Sequence, residues 1–187
     1  MITGPLSTAE CGKLAELAAS TEATRALEVG HYLGLSTSVL LEHLPASVVE
    51  LVTIDHHQGD EWCPPTSFET FQENVAPFVG EREFVAMDED MRTALPELDG
   101  GFGFVFYDAD HTASAVADFW DHVTPLLADE CTLVFDDADW LGQSTLRGLA
   151  EADGFKVVTD QEFVRGETDK HDPLTYTLEV MRRDARS

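Results

Sequence analysis

Apolar and polar positions divide the chain into short, continuous apolar runs that alternate with segments of helical period. The runs have the length of strands, and the periodic segments place apolar residues every three or four positions, as helices do. The predicted strands are Arg25–Val29, Leu51–Asp55, Glu83–Met87, Phe102–Tyr107 and Cys131–Phe135. The predicted helices are Leu6–Ala19, 35–44, 68–75, Val116–Leu127 and Leu146–Glu151. This alternation predicts an α/β fold with a parallel sheet covered by helices.

Two more β-rich segments, Phe155–Thr159 and Tyr176–Met181, follow the last helix and are joined by a charged stretch. They predict a terminal hairpin that adds one antiparallel strand to the sheet. A chain of 187 residues has the size of one domain with a full core. We therefore expect a single domain over residues 1–187.

The turn after the first strand has the composition of a ligand-binding loop. Gly30 permits a sharp turn, Gly34 permits close approach to a ligand, and Ser36 falls where a helix presents free N–H groups. Glu28 precedes this turn, and an acid there suits a ligand with an ammonium group, such as S-adenosylmethionine, better than a pyrophosphate. Asp55, about 20 residues further on, is placed to accept hydrogen bonds from both hydroxyl groups of a ribose.

Four segments, LEVGHYLGLS, LVTIDHH, FVFYDADH and LVFDDADW, follow one another in this order. Through them the chain, over about residues 25 to 160, resembles the class I S-adenosylmethionine-dependent methyltransferases. It is most similar to the small metal-assisted O-methyltransferases of the catechol type and of the macrolide and aminocoumarin sugar type. The resemblance implies a Rossmann-like, open, mostly parallel seven-stranded sheet with helices on both faces and S-adenosylmethionine as cofactor.

The resemblance also implies roles for residues near the cofactor. Asp88 stands where the family contacts the adenine end, and Tyr32 stands where the catechol type has a tyrosine beside the methionine portion. His56 follows the ribose acid and is expected near the adenine. The predicted cofactor-binding residues are Glu28, Gly30, Tyr32, Gly34, Ser36, Asp55, His56, Asp88 and Asp108.

Acidic residues stand at the carboxyl end of every predicted parallel strand, which is the edge where open α/β sheets bind ligands. Asp108, Asp136 and Asp137 would lie together if the fourth and fifth strands are neighbours. Crowded carboxylates repel one another or take up protons unless a cation lies among them, and oxygen ligands suit Mg²⁺ or Mn²⁺. In the resembling family a divalent ion at these positions binds two substrate oxygens. The alternative is an aspartate pair that caps the next helix and binds no metal.

Asp110 and His111 come directly after the first of these acids. His111 falls where the catechol enzymes carry a lysine base, whereas Asp110 matches the base suggested by the D-x-D-H form of the sugar enzymes. Either side chain can take a proton from a hydroxyl group, so the sequence leaves both as candidate catalytic bases. For His111, a structural role at a helix start is the competing explanation.

The composition excludes several classes of partner. A formal net charge of −25 opposes binding to nucleic acid or to an anionic membrane, and no apolar run has the length of a membrane span.

Three widely spaced cysteines without a C-x-x-C pair indicate reduced thiols and a cytoplasmic protein. A zinc site at His56, His57 and Cys63 lacks an evident fourth ligand.

The sequence therefore predicts a metal-assisted O-methyltransferase that acts on a small hydroxylated molecule. Only about 25 residues precede the first strand, so we expect the acceptor pocket to be completed by the loop over residues 56–67 or by a partner subunit such as a second copy. Trp62 and Trp140 are candidate lining residues. The alternatives are a non-catalytic cofactor-binding scaffold and a metal-dependent lyase or hydrolase on the same fold.

Overall fold

The computed structural model describes residues 2, 4–59, 64–137, 141–164 and 175–184. Seven strands form one sheet in the order β3-β2-β1-β4-β5-β7-β6. The first five strands are parallel to one another, and β7 is antiparallel to both β5 and β6. The strands are β1 Arg25–Val29, β2 Glu50–Asp55, β3 Glu83–Asp88, β4 Phe102–Tyr107, β5 Leu127–Phe135, β6 Lys156–Val164 and β7 Thr175–Arg183.

In the described parts of the chain, six α-helices connect or precede these strands: α1 Thr8–Ala19, α2 Leu35–His43, α3 Phe68–Val75, α4 Met91–Ala94, α5 Ala113–Val123 and α6 Leu141–Ala152. The first helix starts with a capping box, in which the Ser7 hydroxyl accepts the Glu10 N–H and the Glu10 carboxylate accepts the Ser7 N–H. This arrangement satisfies backbone donors at the helix start and fixes where α1 begins.

Helices cover both faces of the sheet. Alternate residues of each strand point to opposite faces, so the apolar strands present an apolar surface to helices on each side. Leu27, Val105 and Tyr107 pack with α4, α5 and α6, and Ala26, Phe104 and Phe106 pack with α1, α2 and α3. All six residues of β4 are buried, as expected for a central parallel strand. The predicted open, mostly parallel seven-stranded sheet with a C-terminal antiparallel hairpin is confirmed.

Several predicted boundaries shift. The fifth helix begins at Ala113 rather than Val116, because the Thr112 hydroxyl caps it by accepting the Ala115 N–H, and it ends at Val123, before a 3₁₀ turn that contains Pro125. The strand β5 and both hairpin strands are longer than predicted, and the short helix α4 was not predicted.

The carboxyl ends of β1 to β5 lie along one edge of the sheet. This edge is defined by strand neighbours that end in register, such as Asp55 beside Asp88 and Tyr107 beside Phe135. The strand order reverses between β1 and β4, and such switch points are where open α/β sheets bind ligands. Among the described residues, no helix is long and apolar enough to cross a membrane.

Candidate active site

Both glycines of the turn after β1 have left-handed backbone conformations, with φ of +92° at Gly30 and +91° at Gly34. A Cβ at Gly30 would lie 1.9 Å from the Asp108 carbonyl oxygen, and one at Gly34 would lie 2.5 Å from Val75 Cγ1. The close approach of β4 and the packing of α3 therefore require these glycines. The close approach of the Gly34 backbone to a ligand stays a prediction.

Asp55 holds two loops together at the end of β2. Its Oδ2 accepts the N–H groups of His31 at 3.0 Å and Tyr32 at 2.8 Å, and its Oδ1 accepts the His57 N–H at 2.7 Å. Burial by itself would raise the pKa of Asp55, but His31 and these backbone donors outweigh it and lower the pKa. The carboxylate that was predicted to bind ribose thus also fixes the shape of the glycine turn.

Glu28 is completely buried, in the middle of the sheet and below the glycine turn. Its Oε2 accepts hydrogen bonds from the hydroxyl groups of Thr37 at 2.6 Å and Thr53 at 2.7 Å. Burial raises the pKa of Glu28 to about 7, while the hydroxyl groups of Ser36, Thr37 and Thr53 oppose the rise. Its Oε1 is buried and has no hydrogen-bond partner among the described residues.

Four other predicted cofactor residues lie at the same edge but differ in exposure. Ser36 is buried in the first turn of α2, and Tyr32 is half-buried with a positive φ of 44°. Asp88 is exposed at the end of the edge strand β3, beside Asp55. His56 is exposed, and its Nδ1 accepts the Gln58 N–H at 3.0 Å.

The buried imidazole after β2 belongs to His57, not to His56. Its Nε2 lies 3.0 Å from the Nε2 of His31, and both rings are buried. The His31 ring also stacks on Phe71, with 3.8 Å between ring centroids. Neither histidine was predicted as a site residue, although a polar Thr53 inside the apolar run LVTID was a signal for a buried hydrogen-bonded partner.

Asp108, Asp136 and Asp137 come together at the ends of β4 and β5, as predicted. The Asp136 N–H donates to the Tyr107 carbonyl, which places the two strand ends side by side. Burial raises the pKa of both Asp108 and Asp136, and their neighbouring carboxylates raise it further. Glu10 of α1, also fully buried, is among those neighbouring carboxylates, and its capping-box spacing did not predict this position.

His111 lies between two of these acids. Its Nε2 is 3.4 Å from Asp137 Oδ2 and 3.9 Å from Asp108 Oδ1, and its side chain is 15% exposed. Asp110, by contrast, is exposed, and its Oδ1 accepts the Thr112 N–H at 2.8 Å in the turn before α5. Of the two predicted bases, only His111 contacts the acidic cluster in the described part of the chain.

The donor chemistry of this cluster suits a hard divalent cation, since the buried Asp136 lies close to the half-buried Asp108 and Asp137. As the described side chains stand, however, no three His, Cys, Asp or Glu residues are close enough to hold a metal ion. The predicted metal ligands are therefore neighbours, and the ion itself stays a prediction.

Some predicted features lie outside the described residues, namely Trp62, Cys63 and Trp140. The two tryptophans predicted to line the acceptor pocket, and the cysteine of the zinc site that lacked a fourth ligand, therefore stay predictions. Cys11 is half-buried and Cys131 is buried, and both are free cysteines; the reduced state of the thiols stays a prediction.

A family model described as a methyltransferase domain matches residues 27–138, more than half of the chain. The chain belongs to this methyltransferase domain family. The match contains the glycine turn, Asp55 and the acidic cluster. The resemblance to class I methyltransferases inferred from the sequence is confirmed. No curated protein sequence matches this methyltransferase.

Solved structures show the same fold at low sequence identity. An O-methyltransferase from Bacillus cereus in complex with SAH is 17% identical, with a TM-score of 0.68 over 94% of this chain and 81% of that one. TomG from Streptomyces achromogenes, an O-methyltransferase involved in tomaymycin synthesis and solved with SAM, is 20% identical, with a TM-score of 0.61 over 97% and 82%. A precorrin-6y C5,15-methyltransferase from Geobacter metallireducens is 12% identical, with a TM-score of 0.69 over 98% and 94%.

Proposed function

We propose that this methyltransferase transfers the methyl group of S-adenosylmethionine to a hydroxyl oxygen of a small molecule. The observation that carries the proposal is the position of His111, whose imidazole lies between two carboxylates on the edge that also carries the glycine turn. A base at this place can take the hydroxyl proton while the oxygen attacks the methyl carbon.

The residues at the ends of β1 and β2 fit the proposed cofactor. Glu28 Oε1 is a buried acceptor without a partner among the described residues, which suits an ammonium group above it. Asp55 lies at the same edge, and its Oδ1, which accepts one backbone N–H group, retains a lone pair for a ribose hydroxyl group, whereas Oδ2 already accepts two. Ser36, in the first turn of α2, lies near the N–H groups that suit a carboxylate.

His111 is the stronger candidate for the base, because its surroundings stabilise the protonated ring. When the imidazole accepts the hydroxyl proton at Nε2, the resulting positive charge faces Asp108 and Asp137. Asp110 has no such environment, because it is exposed and bonded to the turn before α5.

We further propose that Asp108, Asp136 and Asp137 bind Mg²⁺ or Mn²⁺. The support is the crowding of buried carboxylates, which a dication would relieve. When bound, such an ion supplies electrostatic activation of a substrate hydroxyl. The protein's part is to collect the acids at two adjacent strand ends and to keep His111 beside them.

The experiment compares His111→Gln with Asp110→Asn as its matched control. Formation of SAH from SAM is measured with a panel of catechols and hydroxylated sugars, with Mg²⁺ or with excess chelator. We expect His111→Gln to reduce kcat by about 10²- to 10⁴-fold and Asp110→Asn to change it little.

Binding of SAH to His111→Gln, measured by calorimetry, should equal that of the wild type, because the ring does not hold the cofactor. Equal turnover by His111→Gln and the wild type would contradict the base assignment, and full activity in excess chelator would contradict the ion. Binding of SAM without any turnover would favour a non-catalytic scaffold.

The acceptor pocket is proposed to be completed by the 56–67 loop or a second copy of the chain.

A further inference from the structure

A continuous chain of hydrogen bonds runs from Glu28 to the segment before α3. Glu28 Oε2 and Thr53 Oγ1 are 2.7 Å apart, and Thr53 Oγ1 and His31 Nδ1 are 2.6 Å apart. The two histidine Nε2 atoms are 3.0 Å apart, and His57 Nδ1 lies 2.9 Å from Thr66 Oγ1. Glu28, His31, Thr53 and His57 are all buried, whereas Thr66 is half-buried between the exposed residues Pro65 and Ser67. The chain therefore connects the interior to the surface.

The direction of every bond in this chain follows from the donors available. An ionised Glu28 can only accept, so the single hydroxyl proton of Thr53 points to it and His31 Nδ1–H must donate to Thr53. The Nε2 of a neutral His31 is then an acceptor, so His57 must donate from its own Nε2. His57 Nδ1 is left to accept the hydroxyl proton of Thr66. All the donors point toward Glu28.

The same contacts are satisfied with every donor reversed when Glu28 carries a proton. Glu28 Oε2–H then donates to Thr53, Thr53 to His31 Nδ1, His31 Nε2–H to His57 Nε2, and His57 Nδ1–H to Thr66. When the protonated Glu28 ionises, one proton moves along each bond of the chain, away from Glu28. Glu28 loses one proton, Thr66 passes one to water, and each ring gains one proton as it loses another, so both rings are neutral in the two states.

We propose that His31 and His57 form a proton path that joins the buried Glu28 carboxyl group to the surface at Thr66. The path itself follows from the hydrogen bonds. Its use rests on the proposed function: a cofactor ammonium above Glu28 favours the ionised carboxylate and covers the edge of the sheet, so the displaced proton leaves through the two rings instead.

Burial keeps the His31 ring neutral against the charge of Asp55, and the same carboxylate favours a proton on Glu28. Asp55 faces both histidines and Glu28, and Asp108 is the other acid that interacts with Glu28. Burial lowers the pKa of His31 to about 3, so this ring does not become an imidazolium near neutral pH. The pKa of Glu28, at about 7, places its proton exchange in the physiological range.

The test is ¹⁵N NMR of the histidine rings in the full chain, without cofactor, between pH 5.5 and pH 8.5 (about one and a half units on each side of the Glu28 pKa). At high pH, His31 should be protonated on Nδ1 and His57 on Nε2. At low pH, both rings should have changed to the other tautomer, with one common midpoint. His56, which is exposed and outside the path, serves as the internal control.

Two variants identify the path as the cause. Glu28→Gln should hold both rings in one tautomer across the whole range, and Thr53→Val should uncouple His31 from Glu28 while Thr53→Ser restores the exchange. Rings that keep one tautomer in the wild type, or that both become imidazolium, would overturn the proposal, as would a tautomer exchange that persists in Thr53→Val. None of these readings requires methyl transfer, so a failure of the path is distinguishable from a failure of the proposed function.

Discussion

In the two halves of the ligand-binding edge, β1–β2 and β4–β5, the charge of Asp55 and the charges of Asp108 and Asp136 are stabilised in opposite ways. At the end of β2, Asp55 accepts three backbone N–H groups, and its pKa is lowered. At the ends of β4 and β5, the half-buried Asp108 and the buried Asp136 lie near other carboxylates, and their pKa values are raised. The first half stabilises the charge of Asp55 with its own backbone and has a raised pKa only at the buried Glu28, whereas the second half concentrates negative charge and gains stability from protons or a cation.

This difference suggests a division of work between the halves. The β1–β2 half has a fixed geometry before any ligand binds, which suits a cofactor that is always the same. The β4–β5 half keeps unfavourable charge close to a histidine, which suits proton transfer and cation binding.

The largest effect is expected when the fixed half loses its anchor. Asp55→Ala removes the acceptor of three backbone donors and the proposed ribose contact. Hydrogen bonds to a charged group are worth about 1.5–3 kcal/mol each, so we expect SAH affinity to fall by about 100-fold or more. Calorimetric titration with SAH measures the loss, and Asp88→Ala is the control, because Asp88 is exposed and should cost less. Unchanged affinity in Asp55→Ala would remove the distinction between the two halves.

A smaller effect is expected from the pH dependence of stability caused by Glu28. Its pKa rises from an ordinary value of 4.5 to about 7 on folding, so the folded protein binds more protons than the unfolded chain between these values. Stability is therefore lost as the pH rises through this window and is constant above it. Denaturant unfolding at pH 5 and pH 8 should show a loss in the wild type that is about 2 kcal/mol greater than in Glu28→Gln. Equal losses in both proteins would show that Glu28 is ionised at both pH values.

The smallest effect is expected when the acidic half loses one charge. Asp136→Asn relieves repulsion among buried carboxylates, so in chelator the variant should be as stable as the wild type or more stable by about 1 kcal/mol. Added Mn²⁺ should raise the melting temperature of the wild type and not that of the variant. A variant less stable than the wild type in chelator would mean that Asp136 has a structural role like that of Asp55.

Much of the fold and the composition of the edge could be predicted from the sequence. The apolar runs identified the strands because a strand covered on both faces is apolar throughout, and each run ended in an acid that the parallel arrangement brought to one edge. Boundaries were less predictable, because the start of α5 depends on a hydroxyl cap at Thr112 and its end on a 3₁₀ turn.

Side-chain partners were decided by the tertiary structure. His56 and His57 are adjacent, and the sequence does not show which of them is buried. In the structure His57 has a left-handed φ of 52° and is buried against His31, while His56 is exposed. Gly34 is required because a Cβ at this position would clash with Val75 of α3. Glu10 lies near Asp108 because α1 packs on the sheet beside that strand end.

The sequence by itself determined the order of strands and helices, the acids at the strand ends and the glycine turn, because these depend on local periodicity and on chain direction. Only the tertiary structure decided which carboxylates are neutralised by backbone donors, which face one another, and which imidazoles share a proton. Those properties depend on distances of about 3 Å between groups that are far apart in the chain, and no local pattern specifies such distances.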